Sequence, residues 1–112
     1  MAYDEELAHR MRELLGDQAG LTEKPMFGGL AFLLNGNMSV AVSSQGGLLV
    51  RVAPERSEEM ISKPHASLMQ MGNRPAMKGW IRVAPEGLRT KRELAAWVDR
   101  GTACAGALPP KH

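Results

Sequence analysis

Residues 25–52 read PMFGGLAFLLNGNMSVAVSSQGGLLVRV, and this stretch decides the fold. Two apolar runs flank Asn35-Gly36, a pair that tolerates the positive φ angles of a two-residue type I′ turn. A second reversal is predicted at Gly46-Gly47, which directly precedes another alternating run. The stretch therefore predicts three antiparallel strands joined by short turns.

Alternation along these strands predicts one apolar face, because successive side chains of a strand point to opposite sides of the sheet. Strand by strand, that face is expected to carry Leu30, Phe32 and Leu34, then Met38, Val40 and Val42, then Leu48, Val50 and Val52. The opposite face mixes apolar and polar residues. We expect helices to cover the first face and water to reach the second.

The segment before the strands predicts a helix over residues 4–15. Its apolar residues recur at helical spacing, Asp4 is a suitable N-cap, and Gly16 is a suitable stop. Residues 17–24 carry no clear pattern and are expected to form a connector.

The second half of the chain predicts two further helices and two further strands. Pro54, followed by acidic residues, favours a short helix over residues 54–61. A brief strand is expected over residues 68–71, a turn over 72–75, a strand over Met77–Val83 and a turn over 84–87. Thr90 and Glu93 form a capping-box pattern ahead of an apolar run, which predicts a last helix over residues 90–108.

The resulting order, α-β-β-β-α-β-β-α, predicts an α+β fold with helices packed on one face of an antiparallel sheet. The 112 residues suit one domain over residues 1–108, with a short tail over 109–112. The N-terminus lacks the basic flank and apolar core of a signal peptide, and no apolar run reaches the roughly 18 residues of a membrane span. We therefore expect a soluble cytoplasmic protein that does not associate with membranes.

Charge is distributed unevenly along the chain. The net charge of +2 divides into −3 over residues 1–50 and +5 over residues 51–112, and residues 74–92 hold six basic side chains against one acid. Such asymmetry can mark an acidic partner or nucleic acid. At a net charge this small the signal is weak.

The residue types of metal and catalytic sites are sparse. Cys104 and the three histidines lack metal-ligand spacing, and no histidine near Cys104 in sequence could activate it as a nucleophile. Gly28-Gly29 could cradle an anion, but a strand follows it, so a bulge or a close backbone approach is the favoured interpretation. We expect no metal, no cofactor and no enzymatic activity.

Lys78, Trp80 and Arg82 alternate on one predicted strand, with Arg74 just before it, and form the only basic and aromatic pattern. Such a pattern can grip single-stranded nucleic acid by stacking and phosphate contacts. The alternative is that Trp80 packs while the basic stems lie around it. Because the chain has only five aromatic residues, we favour packing and expect any binding of nucleic acid to be weak.

Two blocks, Met26-Phe27-Gly28-Gly29 and Met77-Lys78-Gly79-Trp80, resemble motifs of the TfoX N-terminal domain family. Shorter matches at Asn35-Gly36-Asn37-Met38, Pro85-Glu86-Gly87-Leu88 and Leu94-Ala95-Ala96-Trp97-Val98 extend the resemblance over nearly the whole chain. The resemblance implies a small α+β domain with the element order given above.

The same resemblance implies a link to TfoX/Sxy, regulators of bacterial natural competence that act with transcription factors and are not known as enzymes. We expect a stand-alone domain without the C-terminal domain of those regulators. It would act through protein contacts, as a homodimer or with another protein. The candidate interaction surface comprises Met26, Phe27, Gly28, Gly29, Arg74, Lys78, Trp80 and Arg82.

Overall fold

The computed structural model describes residues 4–16, 18–26, 29–43, 46–69 and 77–109. Within these ranges the helices are α1 (Glu5–Leu15), α2 (Ser57–Ile61) and α3 (Lys91–Gly106), with 3-10 turns at Pro54–Arg56 and Pro85–Leu88. The strands are β1 (Leu21–Met26), β2 (Gly29–Leu34), β3 (Asn37–Val42), β4 (Leu48–Arg51), β5 (Ala66–Met69) and β6 (Met77–Val83).

The six strands form one antiparallel sheet in the order β1-β2-β3-β4-β6-β5, so β1 and β5 are its two edges. One core joins the sheet to all three helices: Phe32 lies in the same buried cluster as Met11 of α1, Met60 of α2 and Leu94 of α3. The predicted α+β fold with helices on an antiparallel sheet is confirmed.

The connector predicted over residues 17–24 is wrong in its second half, because β1 begins at Leu21. This strand pairs along its length with β2, and Glu23, Lys24 and Pro25 are all exposed. Proline and charged side chains are typical of edge strands, where one side of the backbone has no neighbour to pair with. Because of these residues, the segment shows no alternation of apolar and polar positions, and the sequence pattern does not predict a strand there.

The turn predicted at Asn35-Gly36 is confirmed, with φ angles of 52° and 84° at the two residues. The face predicted for Met38 is wrong. Phe32 pairs with Val40 but Leu33 pairs with Met38, so Ser39 is an extra residue on β3. This bulge places Met38 on the face of Leu33, opposite to Val40.

Both long helices begin as their sequences predict. The Asp4 carboxylate accepts hydrogen bonds from the backbone N–H groups of Glu6 and Leu7 at the start of α1. At the start of α3, Thr90 Oγ1 accepts from the N–H of Glu93 while the Glu93 carboxylate accepts from the N–H of Thr90. The capping box is thus confirmed, and it fixes where α3 enters the fold.

The remaining predicted elements shift by a few residues. The segment predicted as one helix over 54–61 divides into the 3-10 turn Pro54–Arg56 and α2, and the brief strand predicted over 68–71 already begins at Ala66. Met71 and the turn predicted over 72–75 lie outside the described residues. The predicted turn after β6 is the 3-10 turn Pro85–Leu88.

Candidate functional site

The structure does not gather the predicted interaction surface in one place. Phe27, Gly28 and Arg74 lie outside the described residues. Met26 and Gly29 pair with each other where β1 meets β2, whereas Lys78, Trp80 and Arg82 lie on β6, beyond two intervening strands. The two sequence blocks that carry the family resemblance are therefore separated across the sheet.

Arg82 is engaged within the fold. Its guanidinium lies 3.5 Å from Ser43 Oγ and 3.3 Å from the carbonyl oxygen of Gly46, to which it donates hydrogen bonds. Both partners belong to the connection between β3 and β4, and the side chain is half-buried. Arg82 thus ties that connection to β6.

Trp80 is half-buried, and it lies opposite Arg51 of β4 in the sheet. The Arg51 guanidinium carbon is 5.4 Å from the centroid of the Trp80 ring, a cation–π contact. One face of the indole is therefore taken by a protein cation. Lys78, two residues earlier, is exposed.

Lys78 and Trp80 line a cleft of about 610 Å³. Its walls are the end of β4 with the following 3-10 turn (residues 51–56), the start of β6 (residues 78–80), and the second half of α3 with the two residues that follow it (residues 99–108). We call it the β4–α3 cleft. It joins three segments that are distant in sequence.

Hydrogen bonds to Gly79 fix the floor of the β4–α3 cleft. The N–H of Gly79 donates to Ser57 Oγ at 2.7 Å, and the carbonyl oxygen of Gly79 accepts from the N–H of Val52 at 2.9 Å. Ser57 is almost fully buried. The start of β6 is therefore held both to α2 and to the residue that follows β4, which gives the cleft a defined shape.

Cations outnumber acids in the lining of the β4–α3 cleft. Among the described residues of the lining, the cations are Arg51, Arg56, Lys78 and Arg100, and the acids are Glu55 and Asp99. The Arg100 guanidinium carbon lies 4.5 Å from the centroid of the buried Trp97 ring, a second cation–π contact at this site. The remaining lining is largely apolar and includes Trp80, Ala103 and Leu108.

Arg56 is partly neutralised by an acid next to the cleft. Its guanidinium contacts the Glu59 carboxylate at 2.7 Å, and this hydrogen bond, aided by the charge of Arg56, holds the pKa of Glu59 below its usual range. Lys63 and Arg100 contribute smaller attractions in the same direction. Lys78 has no ion-pair partner among the described residues.

Cys104 also lines the β4–α3 cleft, where its side chain is half-buried. No histidine is among the described residues that line the cleft with it. Sequence analysis singled out Cys104 but missed Arg51 and Arg100. The only available signal for Arg100 was its position three residues after Trp97, which places both side chains on one side of a helix.

A metal site and a membrane-spanning helix are two further features to consider among the described residues. Within the described parts of the chain, no group of three or more histidine, cysteine or acidic residues could hold a metal ion. None of the helices there is long and apolar enough to cross a membrane.

Comparison with known families identifies one match. The model of the family described as the TfoX N-terminal domain matches residues 13–105, which extend from α1 into the last turns of α3. Searches of curated proteins and of solved structures find no match to the chain.

Proposed function

Because the chain belongs to the TfoX N-terminal domain family, we propose that it is a regulatory module that acts through protein–protein contacts and catalyses no reaction. The proposal places it in the bacterial cytoplasm, as the resemblance to TfoX/Sxy competence regulators implies. The observation that carries the proposal is a difference between the two edges of the sheet.

The β1 edge has features that oppose pairing with another chain. Glu23 and Lys24 place charges in the strand, and Pro25 has no N–H to donate to a further strand. The Arg12 guanidinium of α1 also contacts the Glu23 carboxylate at 2.8 Å, so a side chain from the helix reaches over this edge. Natural sheets use such residues to prevent unwanted association.

The β5 edge lacks these features. Its sequence, Ala-Ser-Leu-Met over Ala66–Met69, contains neither a charge nor a proline, and Ser67 is exposed. Only β6 pairs with it among the described strands. An edge of this composition suits the addition of a strand from another protein, in which backbone hydrogen bonds supply the affinity.

The experiment is a quantitative pull-down from bacterial cytoplasm with the unchanged protein and the Ser67→Glu variant. Pairing at β5 predicts a saturable partner, a second copy of the chain included, whose capture is strongly reduced by a charge at Ser67. Thr22→Glu is the matched control, because Thr22 is an exposed residue on the opposite edge strand. Equal capture by both variants would contradict binding at β5.

A separate assay addresses the absence of catalysis. Any turnover found in the purified protein should persist after Cys104→Ala if it comes from a contaminant. If Cys104→Ala loses the turnover while Cys104→Ser or a surface variant retains it, the turnover belongs to this chain. The chain would then be an enzyme.

A further inference from the structure

We propose that the β4–α3 cleft binds an organic carboxylate with an apolar body, such as a medium-chain fatty acid. This site is distinct from the β5 edge: none of the residues that line it belongs to β5. The inference can therefore be tested independently of the proposed function.

The size and lining of the cleft suit a small organic molecule. Its volume of about 610 Å³ lies within the range typical of ligand pockets, roughly 300–1,000 Å³. Trp80 on one wall and Ala103, Ala107 and Leu108 on the other offer apolar surface on both sides. An alkyl chain inserted between these walls would lose contact with water along its length.

The charges around the cleft select a ligand with a single negative charge. Among the residues that the structure describes, four cations and two acids line it, and Glu59 just outside compensates Arg56. The remaining excess is about one positive charge. A carboxylate matches that excess, whereas a doubly charged phosphate monoester would leave one negative charge uncompensated and would lose more hydration on entering the cleft.

Two arginines are positioned to receive the carboxylate. The ring contacts orient the guanidinium of Arg51 on Trp80 and that of Arg100 on Trp97, at 5.4 Å and 4.5 Å from the ring centroids. A contact with a ring face does not occupy all five N–H donors of a guanidinium, and the remaining donors suit a carboxylate. Lys78 adds a further cation whose side chain is exposed.

The single cysteine of the chain provides a direct measure of occupancy. Cys104 lies in the cleft wall, so a bound alkyl chain should shield its thiol from alkylation by iodoacetamide. The probes are decanoate, decanol and decyl phosphate, each below its micelle concentration, with equilibrium dialysis of labelled decanoate as the independent measurement. We expect saturable protection by decanoate and much weaker protection by the two other probes.

Charge variants decide whether the cations recognise the head group. Lys78→Glu with Arg100→Glu should weaken decanoate binding by about tenfold or more, since a hydrogen bond to a charged group contributes about that factor. The control is Arg89→Glu with Arg92→Glu, which reverses the same number of charges at exposed positions outside the cleft lining. Because Arg100 packs on Trp97, Lys78→Gln alone serves as a milder variant that leaves this contact intact.

Three results would overturn the inference. The first is equal protection of Cys104 by decanol and decanoate, which would indicate an apolar surface that does not recognise the carboxylate. The second is decanoate binding that is unchanged in the cleft variants, and the third is the absence of saturable binding in dialysis. None of these results would alter the capture of a protein partner at β5.

Discussion

Gly101 of α3 lies directly over Ser39 of β3: a methyl group added at Gly101 would come within 2.5 Å of the Ser39 carbonyl oxygen. It would also come within 2.5 Å of a Val40 methyl carbon. The missing side chain lets α3 approach the sheet at the bulge around Ser39. The position of α3 shapes the β4–α3 cleft, because residues of its second half form one wall.

Gly101→Ala should therefore destabilise the protein although alanine is the better helix former. Overpacking of this kind costs about 1–3 kcal/mol in the free energy of unfolding, which urea titration measures. Gly106→Ala is the control, because its added methyl would lie 3.4 Å from a Leu34 methyl carbon, an ordinary contact distance. Equal stability of the two variants would show that α3 does not sit this close to β3.

Phe32 is fully buried in the core that joins sheet and helices. Phe32→Ala should lower the free energy of unfolding by about 3–5 kcal/mol, through lost burial and the cavity left behind. The neighbour Leu33 points to the other face and is half-buried, so Leu33→Ala should cost clearly less. A thermal melt that ranks the two variants in the reverse order would contradict the assignment of the faces.

The Arg12–Glu23 ion pair predicts a small pH dependence of stability. The Arg12 guanidinium donates to the Glu23 carboxylate at 2.9 and 2.8 Å and holds the pKa of Glu23 below the usual 4.5. Because the folded-state pKa is depressed, the pair stabilises the fold above pH 4.5 and loses this effect as the pH falls through the lowered value. The side chains are 46% and 35% exposed, so the effect should stay below about 1 kcal/mol.

Urea unfolding of the Glu23→Gln variant tests this pair. The variant should be slightly less stable than the unchanged protein at about pH 7, and the difference should shrink as the pH falls below 4.5 and through the lowered pKa of Glu23. If the difference in stability between the unchanged protein and Glu23→Gln grows as the pH falls, the stabilising effect of this ion pair is contradicted.

Nucleic-acid binding through β6 is expected to be feeble. Arg82 donates to Ser43 and Gly46, and one face of Trp80 is covered by Arg51, so neither is set up for a phosphate or a base. Anisotropy titrations with single-stranded DNA and RNA at about 0.15 M salt should show weak binding that Trp80→Ala leaves unchanged. If the unchanged protein binds nucleic acid with sub-micromolar affinity, and a Trp80→Ala variant that is still folded loses this binding, a nucleic-acid module would be favoured instead.

The sequence predicts the parts of this fold that local chemistry controls. The Asn35-Gly36 turn and the Thr90 capping box are each specified by residues close together in the chain. The edge strand β1 was missed because the side chains that suit an edge, Glu23 through Pro25, are those that weaken a strand pattern. The bulge at Ser39 leaves no mark in the sequence, since the alternation of β3 continues through it.

The candidate site could be predicted only in part for a related reason. Lys78 and Trp80 stand out in sequence as a basic and aromatic pattern, but Arg51 and Arg100, which line the same cleft, lie on β4 and α3. Their meeting depends on how closely α3 approaches the sheet. That distance is set by packing between segments that lie far apart in the chain.

The central claim is that this domain works by binding a protein partner at the β5 edge, and the capture experiment with edge variants tests it most directly. The account predicts saturable capture by the unchanged protein and by Thr22→Glu, and strong loss with Ser67→Glu, while all three share the same melting behaviour. Saturable capture that Ser67→Glu leaves intact, or the absence of any saturable partner including a second copy of the chain, would contradict it.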